Sequence, residues 1–193
     1  MHNNNYKEVQ EYIDALVNNS NKLQIIVAID GRCASGKTTL ATYLGENYEC
    51  NIFHMDDFFL PPSKRTQERL EEPGGNVDYE RFLNEVLKPL KTNKEFEYSL
   101  YNCKTQSMGE HIYVTPSRLV IIEGAYSCRP ELIEYYDLKI FMTIDEKKQK
   151  KRISQRNGEE AAKIFESKWI PYEEKYFKAF NIKEKCDVII NSE

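Results

Sequence analysis

Gly31-Arg32-Cys33-Ala34-Ser35-Gly36-Lys37-Thr38 fits the spacing G-x-x-x-x-G-K-[ST], a pattern whose chemistry is phosphate binding. Glycines let backbone amides turn inward onto phosphate oxygens, and a helix starting just after the loop adds unpaired N–H groups and a positive dipole end. The spacing assigns Lys37 to the β- and γ-phosphates and the Thr38 hydroxyl to a magnesium ion. Gly31, Ala34, Ser35, Gly36, Lys37, Thr38 and Thr39 are the candidate nucleotide-binding set. Further acids and arginines refine the chemistry. Asp56 follows the apolar run 51–55 and could accept or align a hydroxyl proton during phosphoryl transfer. Glu123 ends the run 119–122, where an acid can hold magnesium directly or through water. Asp78 follows a glycine turn and could either receive sugar hydroxyls or cap a helix. Arg152 and Arg156 are four apart, share a helix face, and could neutralise phosphate charge.

The flanking elements must position these groups. Leu23–Ile29 is a mostly apolar run suited to a buried parallel strand, and Thr38–Leu44 reads as an amphipathic helix with Leu40, Tyr43 and Leu44 on one face. Strand, loop and helix thus come in the order that phosphate binding needs. Tyr6–Val17 carries apolar residues at helical spacing, and Asn18–Asn21 breaks it. Further buried strands are expected near 51–55, 119–122, 138–142 and 188–190. The alternation at Phe96, Tyr98 and Leu100 and at Ile112 and Val114 predicts a β-hairpin with its turn over 106–110, inserted outside the parallel sheet. The polar stretch 63–75 reads as a surface excursion with room for a short helix, and the aromatic-rich stretch 165–180 as a helix packed mainly into the core. The expected fold is α/β with a parallel core, arranged as one domain over 1–193. Within it lie an N-terminal helix (1–20), the hairpin (about 96–115) and a mobile, charged helical segment (about 145–163) able to close over a nucleotide.

Composition narrows the function classes. The 193 residues include 27 Lys and Arg against 31 Asp and Glu, a net charge of −4, with no long basic tract. That argues against nucleic-acid and anionic-membrane partners. No apolar run reaches membrane-span length. Five scattered cysteines without C-x-x-C pairing favour reduced thiols and a cytoplasmic location over disulfides or zinc.

Taken together, 30–39 (from Asp30 through Thr39), His54–Phe59, Asn76–Asp78, Ile122–Gly124 and the Arg152–Arg156 segment resemble the uridine kinase branch of the phosphoribulokinase/uridine kinase group of P-loop NTPases, over about 24–190. The resemblance implies a nucleoside-monophosphate-kinase-like three-layer fold, ATP or GTP with Mg2+, and phosphorylation of a primary hydroxyl, with uridine or cytidine first among acceptors. It implies Asp56 as the catalytic acid, Asp78 at the ribose, and Tyr101 in the hairpin that helps enclose the nucleoside. It further implies Glu123 as the magnesium-associated acid, and Arg152 and Arg156 as lid arginines near the phosphates. The chain departs from that branch in carrying Gln106 where a base-reading histidine tends to follow the hairpin tyrosine, and His54–Phe59 also resembles nicotinamide riboside kinases. The competing expectations are therefore a kinase of another small alcohol, such as nicotinamide riboside or pantothenate, and a nucleotide-dependent switch or ATPase without a small acceptor. A homo-oligomer is compatible with the sequence.

Overall fold

The structure, a computed structural model, describes residues 2–192, with side chains described from Asn5 onward, so the ends of the expected 1–193 span lie outside the described residues. Five parallel strands form the central sheet: β1 (Ile25–Gly31), β2 (Cys50–His54), β5 (Leu119–Glu123), β6 (Leu138–Ile144) and β7 (Val188–Ser192). Their spatial order is β2-β5-β1-β6-β7. Every residue of β1 and of β5 is buried, as strands covered on both faces require. Side chains of β1 alternate between two cores. Ile25, Val27 and Ile29 join Leu40 and Leu44 on one face, while Ile26 and Ala28 join Phe53, Phe82 and Tyr176 on the other.

The first core is roofed by α1 (His2–Asn19) and α2 (Lys37–Asn47). Val9 and Ile13 of α1 are fully buried, and the Tyr43 and Tyr48 hydroxyls of α2 and its C-cap reach Gln10 and Asp14 of α1. The second core lies under the helical run 79–90 and the helix Ile170–Phe180. A separate antiparallel hairpin, β3 (Phe96–Asn102) and β4 (Ser107–Val114), packs on this side through Tyr98, whose ring centroid is 5.5 Å from those of both Phe53 and Phe58. The hairpin turn spans 103–106, earlier than the 106–110 expected, because Gln106 takes a left-handed conformation (φ 54°) that closes the turn and lets Ser107 begin β4.

The stretch 63–75 is exposed over 63–68, as its polarity suggests, and turns inward only at its end. It holds the helix Gln67–Glu71, and its end is pinned by two arginines. Arg69 makes two 2.7 Å bonds to Glu80, donates to the carbonyls of Gly75 and Val77, and lies 4.3 Å from the centre of the Tyr79 ring. Arg129 donates to the Pro73 carbonyl and also lies over Tyr79, at 3.9 Å. Gly74, Gly75 and Asn76 are buried as a result.

At the carboxyl end of β1 the chain leaves the sheet at Gly31, whose φ of 131° is outside the range of ordinary side chains. A Cβ there would overlap the Met142 carbonyl oxygen on neighbouring β6. Gly31→Ala should therefore lower folding stability by ~3 kcal/mol or more, read from the urea midpoint. A change within ~0.5 kcal/mol would show that the loop relaxes freely around the added methyl.

Candidate active site

The phosphate loop runs from Gly31 into α2, with left-handed conformations at Ala34 (φ 58°) and Gly36 (φ 97°). Its carbonyl oxygens are claimed by side chains. Lys37 Nζ donates to Gly31 and Arg32 at 2.8 and 2.9 Å, Gln149 to Cys33 at 3.0 Å, and Arg152 to Ala34 at 3.1 Å. Buried Glu173 accepts the Cys33 N–H at 2.9 Å. Burial, with the Glu173 charge second, pushes the Cys33 thiol up to about 12, so it remains a protonated packing group. The Ser35 hydroxyl is buried without a hydrogen-bond partner, which suits a loop that receives an anion.

A cavity of about 660 Å³ opens above the loop. Among the residues expected from the sequence, Ala34, Gly36, Lys37, Thr38, Thr39, Asp56, Glu123, Arg152 and Arg156 line it. Gly31 and Ser35 lie within the loop without lining the cavity. Parallel pairing places His54 beside Glu123 and Glu123 beside Ile29, so the ends of β2 and β5 flank the loop. The short 3-10 turn Met55–Phe58 then carries Asp56 to the cavity wall. Thr38 Oγ1 lies 3.2 Å from Glu123 Oε1, and the same oxygen lies 2.6 Å from His54 Nδ1. Asp56 is open to the cleft yet closely ringed by protein. Burial, followed by the Glu123 carboxylate, raises its pKa above the ordinary aspartate range, while Lys37, His54 and Arg156 pull the other way.

Asp78 and Tyr101 stand apart from this wall. Asp78 is buried, caps the helix Tyr79–Phe82 by accepting the Arg81 N–H at 3.2 Å, and pairs with Lys64 at 2.8 Å. The Tyr101 hydroxyl is 3.1 Å from Arg65, and neither residue lines the cavity. The helix-capping reading of Asp78 accounts for its Oδ1 contact, while Lys64 takes Oδ2. In the other direction, the structure adds residues to which the sequence assigned no role, although Phe59 and Asn76 lie within the stretches that carry the family resemblance. Tyr6, Phe59, Asn76, Tyr126 and Glu173 line the cavity, as do Phe165 and Trp169, which the sequence placed among core aromatics. Glu173 and His54 reach the site only through the tertiary path of their chain segments. His54 is marked in the sequence by its strand-end position and by the His54–Phe59 stretch, and Glu173 only by its place one turn before the buried Tyr176–Phe177 pair.

The site suits a nucleoside triphosphate: an ammonium and two arginines line one cavity beside a glycine-bounded loop that holds an orphaned hydroxyl. Thr38 and Glu123 supply hard oxygens, and Mg2+ needs only one or two such ligands when phosphates complete its shell. Among the described residues no group of three or more His, Cys, Asp or Glu side chains gathers to hold a metal, and no helix is long and apolar enough to cross a membrane.

The Glu123 hydrogen bond raises the His54 pKa above its ordinary value against the opposing effect of burial. For a histidine raised in this way, the stabilisation is complete below the unfolded pKa of ~6.5 and is lost as pH climbs through the folded value. Glu123→Gln should therefore lower the His54 pKa in an NMR titration. An unchanged pKa would show that the pair does not set it.

No family model matches the chain. It is 27% identical over 195 residues to uridine-cytidine kinase B of Dictyostelium discoideum, covering 93% of this chain and 79% of that protein. Its fold matches a possible uridine kinase from Bacillus stearothermophilus with a TM-score of 0.66, at 23% identity over 95% of this chain and 99% of the other. It also matches phosphoribulokinase from Rhodobacter spheroides with a TM-score of 0.58, at 13% identity over 88% and 70%. With the loop, the parallel sheet and the hairpin in agreement, the chain is similar to uridine kinases, shares its fold with P-loop kinases, and is a phosphotransferase with an alcohol group as acceptor.

Proposed function

We propose that the chain transfers the γ-phosphoryl group of ATP or GTP to the 5′-hydroxyl of a ribonucleoside, uridine or cytidine first. The observation that carries this reading is a carboxylate, Asp56, facing the same cavity as the phosphate loop and Lys37. Phosphoryl transfer asks for positioning and charge neutralisation more than for covalent help. In this reading the loop amides and Lys37 hold the β- and γ-phosphates, Arg156 neutralises charge that spreads over the transferring oxygens beside Asp56, and Arg152 offsets the charge of the held donor from the other side of the loop. Asp56 orients the acceptor hydroxyl and receives its proton, and its raised pKa brings its basicity closer to that task than an ordinary aspartate's. Bound Mg2+, held from Thr38 and Glu123, would supply Lewis-acid neutralisation of the phosphate oxygens. The segment 145–163 acts as a lid that excludes water from the transfer, and 1–193 works as one kinase domain.

A kinase of another small alcohol, such as nicotinamide riboside or pantothenate, is favoured by one observation. Asp78 and Tyr101, the residues that the family resemblance assigns to the nucleoside, are occupied by Lys64 and Arg65 away from the cavity wall. A coupled ADP-release assay over uridine, cytidine, nicotinamide riboside and pantothenate separates the readings. Turnover should be fastest with a pyrimidine nucleoside. No turnover with any nucleoside, or hydrolysis of ATP indifferent to every alcohol, would refute the acceptor assignment. Asp56→Asn should lower kcat by roughly 10²- to 10⁴-fold. The wild-type acid limb of kcat/KM should lie above the ~3.9 of a free aspartate. A variant with full rate would remove Asp56 from the chemistry.

A further inference from the structure

The sheet order divides the cavity. The ends of β2 and β5, with Asp56 and Glu123, lie to one side of β1 and its loop, whereas β6 and β7 lie to the other. In the proposed transfer, a triphosphate seated on the loop would point its terminal phosphate towards Asp56 and its nucleoside the opposite way. The opposite end is walled by Thr39, by Arg152 on the helix after β6, by Ser192 at the end of β7, and by Tyr6. Tyr6 belongs to α1, which packs beside β7.

Tyr6 continues the buried face of α1 one turn beyond Val9 and Ile13, past the point where the sheet's core gives way to the cavity. Its ring centroid is 5.2 Å from that of Tyr43, and a Cβ built on Gly36 would stand 4.0 Å from its hydroxyl. The helix that carries it is locked in place. Tyr43 bonds Gln10 at 2.6 Å, Tyr48 bonds Asp14 at 2.8 Å, and Arg118 donates to the carbonyls of Val17 and Ser20. Arg152, which spans Ala34 and Ser192, is close enough for its charge to act on the Tyr6 phenol. An aromatic ring held rigidly at the nucleoside end of a triphosphate site has the form of a stacking platform, since little entropy is lost when a base lies against it.

We propose that α1 supplies Tyr6 as the platform on which the base of the phosphoryl-donor nucleotide stacks, a role that rests on the triphosphate reading of the cavity. Every purine offers a π-face, so the platform favours bases without choosing between adenine and guanine.

Isothermal titration of the full chain with ATP, GTP and inorganic tripolyphosphate tests this, using Tyr6→Ala, Tyr6→Leu and Tyr6→Phe. Tyr6→Leu keeps apolar bulk against Tyr43 and guards against simple loss of packing. The Ala and Leu variants should bind ATP and GTP roughly 5- to 150-fold more weakly, the range lost when an aromatic leaves a stacked base. Tripolyphosphate affinity and the acceptor's KM should not change, and Tyr6→Phe should bind ATP within about threefold of the wild type, because the π-face remains. Equal weakening towards ATP and tripolyphosphate would make Tyr6 a support of the loop and overturn the proposal. Unchanged ATP binding, or a change confined to the acceptor, would overturn it as well. If the wild type binds neither ATP nor tripolyphosphate, the triphosphate reading itself fails and takes this role with it.

Discussion

A buried carboxylate stands at the point where β1 becomes the phosphate loop. Asp30 accepts the N–H groups of Gly31, Tyr126 and Cys128 at 2.6, 3.2 and 2.8 Å and the Tyr176 hydroxyl at 2.8 Å. Burial raises its pKa, and the Cys128, Gly31 and Tyr176 donors, with the Lys37 charge, oppose the rise. A carboxylate withdrawn from water is tolerated only when its oxygens are satisfied, so the four donors are bound to their places as firmly as the charge is. They come from the start of the loop, from the turn after β5, and from the helix Ile170–Phe180. One side chain thereby sets the spacing between the loop, the Gly124–Tyr126 wall of the cavity and the helix that delivers Glu173 to Cys33.

With that spacing fixed, the sheet order does the rest. Flanking β1 with β5 and β2 on one side brings Glu123, His54 and Asp56 together, and flanking it with β6 and β7 on the other brings Arg152 and Ser192. Ligands of open parallel sheets sit beyond the carboxyl ends of the strands. Here the loop lies between an acidic end and a basic, aromatic end of one cavity, a polarity suited to moving an anionic group from a held donor to an activated alcohol.

Local sequence carries the part of this site that local physics determines. The glycines, Lys37 and Thr38 lie within eight consecutive residues, and their roles depend on a strand and a helix that the hydrophobic pattern also marks. Asp56 and Glu123 are legible because each closes an apolar run. Their convergence on Thr38 depends on strand pairing, which a single strand does not encode, and so the His54–Glu123 contact had no local sign. Asp78 and Tyr101 show the converse. Their residue types suit a sugar, but Lys64 and Arg65, from a stretch that reads as polar surface, engage them elsewhere. Tyr6 and Trp169 look like ordinary members of amphipathic helices, since nothing in a 3.6-residue period tells whether a helix face meets a core or a cavity at its end.

The proposed transfer requires a donor phosphate on the loop and an acceptor hydroxyl at Asp56 to meet within a single cavity. A crystal structure with a non-hydrolysable ATP analogue, Mg2+ and uridine measures it directly. The 5′-hydroxyl should lie within hydrogen-bond distance of an Asp56 carboxylate oxygen and in line with the terminal phosphorus. A hydroxyl seated away from Asp56 with the analogue on the loop, or an analogue bound outside the loop, would contradict it.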